Sequence, residues 1–387
     1  MYALSSVAAF DYRDPWLLPL HERLRMLARG RQRVAYFYET PNNSTFRYRA
    51  YNMAQVLNDS ADAVSAAYFF IADLDRLDDI ADLADVLVIC RSRYDSHINR
   101  VVMALRKRGK KVLFDIDDFV FNTDYVHLLV KTLDLDVNNP QVWDDWYAYC
   151  SRMGATLKLC DGAITTNEFL ATKIRDFSGL PVAVVPNFMN REQLELSERV
   201  FAAKQDQPPG ADGLIHLGYF SGSPSHNRDF ALIIPALEEL LEEDPRLGLV
   251  VVGYIEAGPR LERFGKRVTR YHFQDYVNLQ KLVGSVEINL MPLQFNVFTN
   301  SKSELKYFEA AAVGTVSVAS PSLVYARTIR HGDNGYLAQC HQWTDVIGEA
   351  VQQLGSPDMP LRSRADALSK YTGAQQLDCI RAALGLE

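Results

Sequence analysis

The sequence predicts an α/β protein built on two doubly wound, mainly parallel sheets, and three observations carry that prediction. Short apolar runs alternate with longer amphipathic stretches, as strands covered by helices require. The pattern occurs twice. Between the two occurrences lies QDQPPGADG (Gln205 to Gly213), rich in turn formers and without apolar periodicity. A length of 387 residues, at about 150 residues per domain, also fits two domains better than one.

In the first half the spacing predicts strands at Arg33–Tyr38, Ala67–Ile71, Val86–Cys90, Lys111–Asp115, Gly162–Thr165 and Val182–Val185, with helices such as Ser96–Arg108 and Trp143–Leu159 between them. The second half restarts with LIHLGYF (Leu214 to Phe220). A helix carrying Leu237, Leu240 and Leu241 follows, with Pro235 in its first turn or at a kink. Then come a strand at Leu249–Val252, the run VEINLMPL (Val286 to Leu293), a helix at Glu304–Val313 and a strand at Thr315–Ser320. Ala374 to Leu384 reads as an amphipathic helix. The division is therefore residues 1–204, a linker at 205–213, residues 214–370, and a last segment 371–387 free to return to the first domain. No fixed repeat is visible, which excludes a solenoid. Two such sheets bind ligands beyond the carboxyl ends of their strands, facing each other across a cleft.

Composition narrows the function. Hydrophobic residues make up 48% and charged residues 23%, so the chain folds on a core and is not disordered. Its five cysteines are scattered and form no C-x-x-C, which suits a reducing compartment. The most apolar run, Ala63 to Ala72, is about half the length that a spanning helix needs. The first residues lack the basic-then-apolar order of a signal peptide. A cytoplasmic protein is expected. A net charge of −7 argues against duplex nucleic acid as a partner. One basic stretch, His21 to Arg33 with five arginines, reads either as a solvated helix face or as a site for the inner face of an anionic membrane.

The densest chemistry lies in NSKSELKYFEAAAVGTVSVAS (Asn300 to Ser320). Ser301 and Ser303 are N-cap candidates, and Ser301 with Glu304 has capping-box spacing. The helix start offers free N–H groups to a phosphate, Lys302 and Lys306 add whole charges, and Glu309 lies three residues past Lys306 on one face. The same residues also fit a plain amphipathic helix with a solvated Lys–Glu pair.

Lys306, Glu309, Ala310 and Gly314 form K-x-x-E-A-x-x-x-G. With VSVAS behind it and GDNGYLA (Gly332 to Ala338) downstream, this resembles the donor-binding half of GT-B glycosyltransferases of the family 4, or group 1, kind. LGYFSGSPSHNRDF (Leu217 to Phe230), VVVG (Val250 to Gly253) and PVAVVPNFMN (Pro181 to Asn190) fall in the order of that family, and the likeness runs from Arg33 to Ala338. It implies two Rossmann-like domains facing a cleft, with the acceptor on the first and a nucleotide sugar on the second. It also implies retention of configuration, no metal, and a glycan or lipid-linked glycan acceptor, as in bacterial surface polysaccharide or rhamnan synthesis. Glu309 would hold the ribose and Lys302, Ser303 and Lys306 the diphosphate. Two departures stand out. Ser301 occupies the place of the family's first glutamate, and SGSPSHNR replaces its Arg/Lys pair. There Gly222 and Ser223 could form a backbone cradle, with His226 or Arg228 supplying charge. A hexosyl- or deoxyhexosyltransferase follows from the likeness; a sugar-nucleotide-binding module without activity is the alternative that the departures suggest.

Three further segments offer candidates. Asp115, Asp117 and Asp118 end a strand at the cleft edge. They can be read as a metal-binding D-x-D, as acceptor contacts or catalytic groups (Asp117, Asp118), or as the acid pair Asp115 and Asp117 of a haloacid-dehalogenase phosphatase, although Phe119 stands where that family carries Thr or Val. Arg47 and Arg49, beyond the first strand, are expected to touch acceptor or diphosphate, or else to pair with Asp59 or Asp62. Tyr271, His272 and Phe273 lie where the resemblance puts the base, so Phe273 either stacks on it or packs in the core. No histidine pair has metal spacing, and no G-x-S-x-G or P-loop occurs.

Overall fold

The structure is a computed structural model that describes residues 1–386 apart from 9–11, 42–43, 61–62, 223–225 and 256–257. The first sheet comprises β1 (Gln32–Phe37), β2 (Val64–Phe69), β3 (Val86–Cys90), β4 (Lys111–Asp115), β5 (Gly162–Thr165) and β6 (Val182–Val184). Its order is β2-β1-β3-β4-β5-β6, parallel throughout. All residues of β2 and β3 are buried, which is why these runs are continuously apolar rather than alternating. Helices cover both faces, and the apolar side chains fall into a separate core on each.

The second sheet comprises β7 (Ile215–Ser221), β8 (Leu247–Gly253), β9 (Val268–Tyr271), β10 (Ile288–Met291), β11 (Val316–Ala319) and β12 (Tyr336–Leu337), in the order β12-β11-β10-β7-β8-β9 and again parallel. Sequence reasoning missed β9, whose pattern is half-buried and lacks a long apolar run. It also placed β2 at Ala67–Ile71, whereas the ladder pairs Gln32 with Val64. Pro235 sits in the first turn of helix Ile234–Glu243.

Each sheet reverses its winding once. In the first, the chain steps from β1 out to β2 and returns past β1 to β3; in the second, it leaves β7 for β8 and β9 and returns to β10. The carboxyl ends of β1 and β3, and of β7 and β10, are therefore the two places where diverging loops leave a crevice. Two segments tie the halves together. Trp16 lies parallel to Tyr276 at 6.0 Å and edge-on to Phe46 at 5.6 Å. Helix Gly373–Leu384 lies on the first sheet, where Lys111 Nζ donates to Leu384 O at 3.2 Å. Among the described residues no helix is long and apolar enough to cross a membrane.

Candidate active site between the two sheets

The expected capping box does not form. Helix Leu305–Ala312 has Glu304 at its N-cap, without a side-chain cap bond. Ser301 instead closes a short preceding helix, Val297–Asn300, its Oγ donating to Val297 O at 2.9 Å. This earlier turn uses Ser301 up, so the helix is interrupted at Lys302–Ser303 and those two side chains turn toward the first domain. Ser303 Oγ accepts from Asn187 Nδ2 at 3.0 Å, and Lys302 Nζ reaches Asp118 Oδ1 at 2.7 Å.

Lys306, in the first turn, holds its ammonium over the Tyr219 ring of β7, 5.0 Å from the centroid. Burial, with Lys302 nearby, pushes its ammonium down to about 8 against the opposing pull of Asp229 and Glu309. His226 Nδ1 lies 2.9 Å from Asp229 Oδ2, and Asp229 also accepts from Gln294 N at 3.0 Å. Burial holds the imidazole below its usual range; the Asp229 hydrogen bond opposes this, and Lys306 and Lys302 add to the lowering. His226 therefore brings a neutral hydrogen-bonding ring and not the charge expected of it. Arg228 is corrected too, since it is exposed and its Nε meets Asp134 Oδ1 at 2.7 Å on the rim. Gly222 is exposed with open space around it, and Ser223 lies outside the described residues. Gly253 shapes this corner: at φ +99°, a Cβ there would lie 1.9 Å from Ser221 O.

The facing wall comes from β3 and β4. Arg91, at the end of β3 with φ +34°, sends Nη1 to Asp118 Oδ2 at 2.9 Å, Asp117 Oδ1 at 3.1 Å and Thr45 Oγ1 at 3.2 Å. Thr45 Oγ1 donates to Asp117 Oδ2 at 2.9 Å. A non-glycine residue in this left-handed region is strained, and such strain concentrates at functional sites. Arg91 was missed because a lone arginine after a strand carries no motif. Burial would raise the Asp118 carboxyl, but Lys302 and Arg91 outweigh it and hold it well below the usual range. So firmly ionised a carboxylate is a weak proton acceptor, and its part is to position Lys302 and Arg91.

The expectations for Arg49 and Asp115 fail on burial. Arg49 is fully buried: Nε and Nη2 grip Asp115 at 2.7 and 2.8 Å, and Nη1 donates to Val185 O at 2.7 Å. Its charge is spent on Asp115, while Asp59 pairs with Arg191 at 2.8 Å and Asp62 lies outside the described residues. Asp115, with both oxygens taken by Arg49, cannot be a phosphatase nucleophile. Among the described residues no cluster of three His, Cys, Asp or Glu is arranged to hold a metal ion. Arg47 stacks over Tyr48 at 4.8 Å and Tyr276 at 4.3 Å in the seam between the halves. Glu309 is buried there as well, accepting from Tyr48 Oη and from Gln193 Nε2 at 3.2 Å. Burial raises its carboxyl above the usual range, against Arg47 and these donors. Of the two readings of Phe273, core packing is ruled out: the ring is 54% exposed beside Tyr254, centroids 5.4 Å apart, at the carboxyl ends of β9 and β8.

Two parallel sheets thus face each other at their reversal points, with basic side chains on the second and an Arg–Asp cluster on the first. The fold is GT-B. Residues 215–356 match the family model described as glycosyl transferases group 1. No curated protein matches by sequence. Among solved structures, Anabaena Alr3699/HepE in complex with UDP and glucose is similar at 12% identity and TM-score 0.61, covering 91% of this chain and 99% of that one. A glycosyltransferase from Rickettsia africae ESF-5 is similar at 12% identity and TM-score 0.60, over 92% and 99%. The sucrose-phosphate synthase of Thermosynechococcus elongatus is similar at 15% identity and TM-score 0.56, over 90% and 97%. The chain resembles GT-B glycosyltransferases of the group 1 kind, and its cleft lies where GT-B geometry sets two crevices opposite each other.

Proposed function

We propose that this protein transfers a sugar from a nucleotide sugar, bound on the second half, to a glycan or lipid-linked glycan acceptor on the first. The observation that carries the reading is the convergence of Lys302 and Lys306 at the reversal point of the second sheet, facing Asp118 and Arg91 across the cleft. Two ammonium groups beside a neutral imidazole suit a diphosphate leaving group. A helix terminus alone supplies about 0.3–2 kcal/mol, whereas enzymes lower barriers by about 8 kcal/mol or more. Lys302 and Lys306 therefore carry most of the electrostatic work. Exposed Phe273 and Tyr254 offer faces for the base.

For the donor to engage, Lys302 exchanges Asp118 for phosphate, and Glu309 exchanges Tyr48 for ribose hydroxyls. Both exchanges part the two halves. The reading extends to a retaining, metal-independent reaction in surface polysaccharide synthesis, at the cytoplasmic face of a membrane, with a uridine or deoxythymidine diphosphate sugar. HepE, whose structure holds UDP and glucose, supports uridine. Thermal-shift screening with UDP, GDP, TDP and ADP, followed by turnover with pooled nucleotide sugars and glycan acceptors in EDTA, tests it. Stabilisation by one nucleotide with turnover is expected. Stabilisation without turnover under any condition favours the binding module, for which the engaged Glu309 and the absent first glutamate speak.

A further inference from the structure

The reversal point of the first sheet carries groups that the donor reading does not use. Beyond β1 stands Glu39, and beyond β3 the chain runs Arg91, Ser92, Arg93, Tyr94. Arg93 grips Glu39 with Nε at 3.1 Å and Nη2 at 2.8 Å, and the Arg93 backbone N–H donates to Glu39 Oε1 at 2.9 Å. The pair is half-exposed. Below it lies the ring of Tyr149, 5.8 Å from the guanidinium, with Trp146 5.4 Å further along helix Pro140–Lys158. Tyr94 is exposed, while its backbone is tied to that helix at both ends: its N–H donates to Arg152 O at 3.0 Å and its carbonyl accepts from Arg152 Nε at 2.7 Å.

This rim joins the charged centre of the cleft. Arg93 follows Arg91 by two residues, so the ion pair with Glu39 and the Tyr149 ring under it adjoin the Arg91–Asp118–Lys302 line. Aromatic faces held rigid next to a planar, hydrogen-bonding ion pair match one chemistry. A pyranose presents a C–H face to a ring's negative π surface and an edge of hydroxyls to a charged fork.

We propose that Glu39, Arg93, Tyr94, Trp146 and Tyr149 form a saccharide shelf that holds a sugar unit of the acceptor chain next to the one that receives the new residue. The nature of its ligand rests on the transferase reading. The shelf fixes the acceptor's approach: a chain lying on Tyr149 and Trp146 extends away from Lys302 along the helix, so an acceptor with a second sugar binds better than a monosaccharide.

The protein carries its own reporter. Of four tryptophans, Trp16 and Trp343 are buried and Trp143 and Trp146 are half-exposed on the shelf helix. Emission is titrated with short malto-, chito-, manno- and rhamno-oligosaccharides on wild type, Tyr94→Ala, Arg93→Ala and Tyr149→Phe, with circular dichroism to verify folding and light scattering to follow self-association. At least one oligosaccharide gives a saturable change, weakened about fivefold or more in Tyr94→Ala and Arg93→Ala and retained in Tyr149→Phe, which keeps the ring. UDP stabilisation stays unchanged in all three. Silence across the oligosaccharides, equal titrations in wild type and both alanine variants, or emission changes that track self-association overturn the shelf. Loss of UDP binding with oligosaccharide binding intact would sink the transferase reading alone; the reverse would sink the shelf alone.

Discussion

Lys306 is the residue on which charge and burial conflict most sharply. Its pKa falls from 10.5 to about 8 in the fold. Between those values the unfolded chain binds more protons at this site than the folded one, so stability rises with pH across the window and the burden is present in full below it. Lys306→Met should flatten that alkaline gain in a series of melting curves. Diphosphate needs the ammonium, so UDP affinity measured by calorimetry should decline as pH climbs past about 8 and hold in Lys306→Arg. At neutral pH Lys306→Ala should weaken UDP by about 10- to 100-fold, the worth of a charge-assisted bond, with the circular dichroism spectrum unchanged. Full affinity in that variant would remove Lys306 from the site. Arg49 is the opposite case. Removing it strands the buried Asp115, so Arg49→Ala should cost about 3–5 kcal/mol in a denaturant titration. A melting temperature like wild type would contradict the buried pairing.

Elements decide where those side chains point. The sequence reads a helix at Glu304–Val313 capped by Ser301 or Ser303, whereas the chain first makes a short helix, Val297–Asn300, that Ser301 closes, and then Leu305–Ala312. The break lets Lys302 reach Asp118 while Lys306 stays under the second sheet's edge. Ser301 was misread because its hydroxyl donates back to the Val297 carbonyl instead of accepting from an N–H ahead, and propensity cannot rank the two. Strands were legible where they are buried on both faces, as in β3 and β4; half-buried β9 was not. At the β8 end, Gly253→Ala meets both a positive φ and the Ser221 carbonyl. A loss of about 2 kcal/mol or more is expected, with UDP binding weakened because the Ser221–Gly222 corner shifts. Retained melting temperature and affinity would show that the corner tolerates a methyl group.

At the scale of the molecule, the two halves meet through contacts that occupy the groups proposed to hold the donor: Lys302 with Asp118, and Glu309 with Tyr48. Asp118→Asn removes the carboxylate that competes for Lys302, so UDP affinity should rise by about threefold or more while turnover falls, because Lys302 and Arg91 lose their common anchor. Calorimetry beside a rate assay separates the two effects; reduced affinity would mean that Asp118 helps to bind the donor. The sequence by itself determined two parallel sheets with a run of turn formers, Gln205 to Gly213, between them; it also put Lys302, Lys306 and Glu309 forward as one donor cluster, of which the structure seats Glu309 against Tyr48 and Lys302 against Asp118. Apolar runs and helical spacing are local properties that any reader of the chain can count. Only the tertiary structure decided that Arg49 and Asp115 belong to the core, that Arg228 belongs to the rim, and that Arg91 joins the cleft. Those outcomes depend on which partner a charge meets once buried, and the partners lie on strands distant in sequence, brought together only when each sheet reverses its winding.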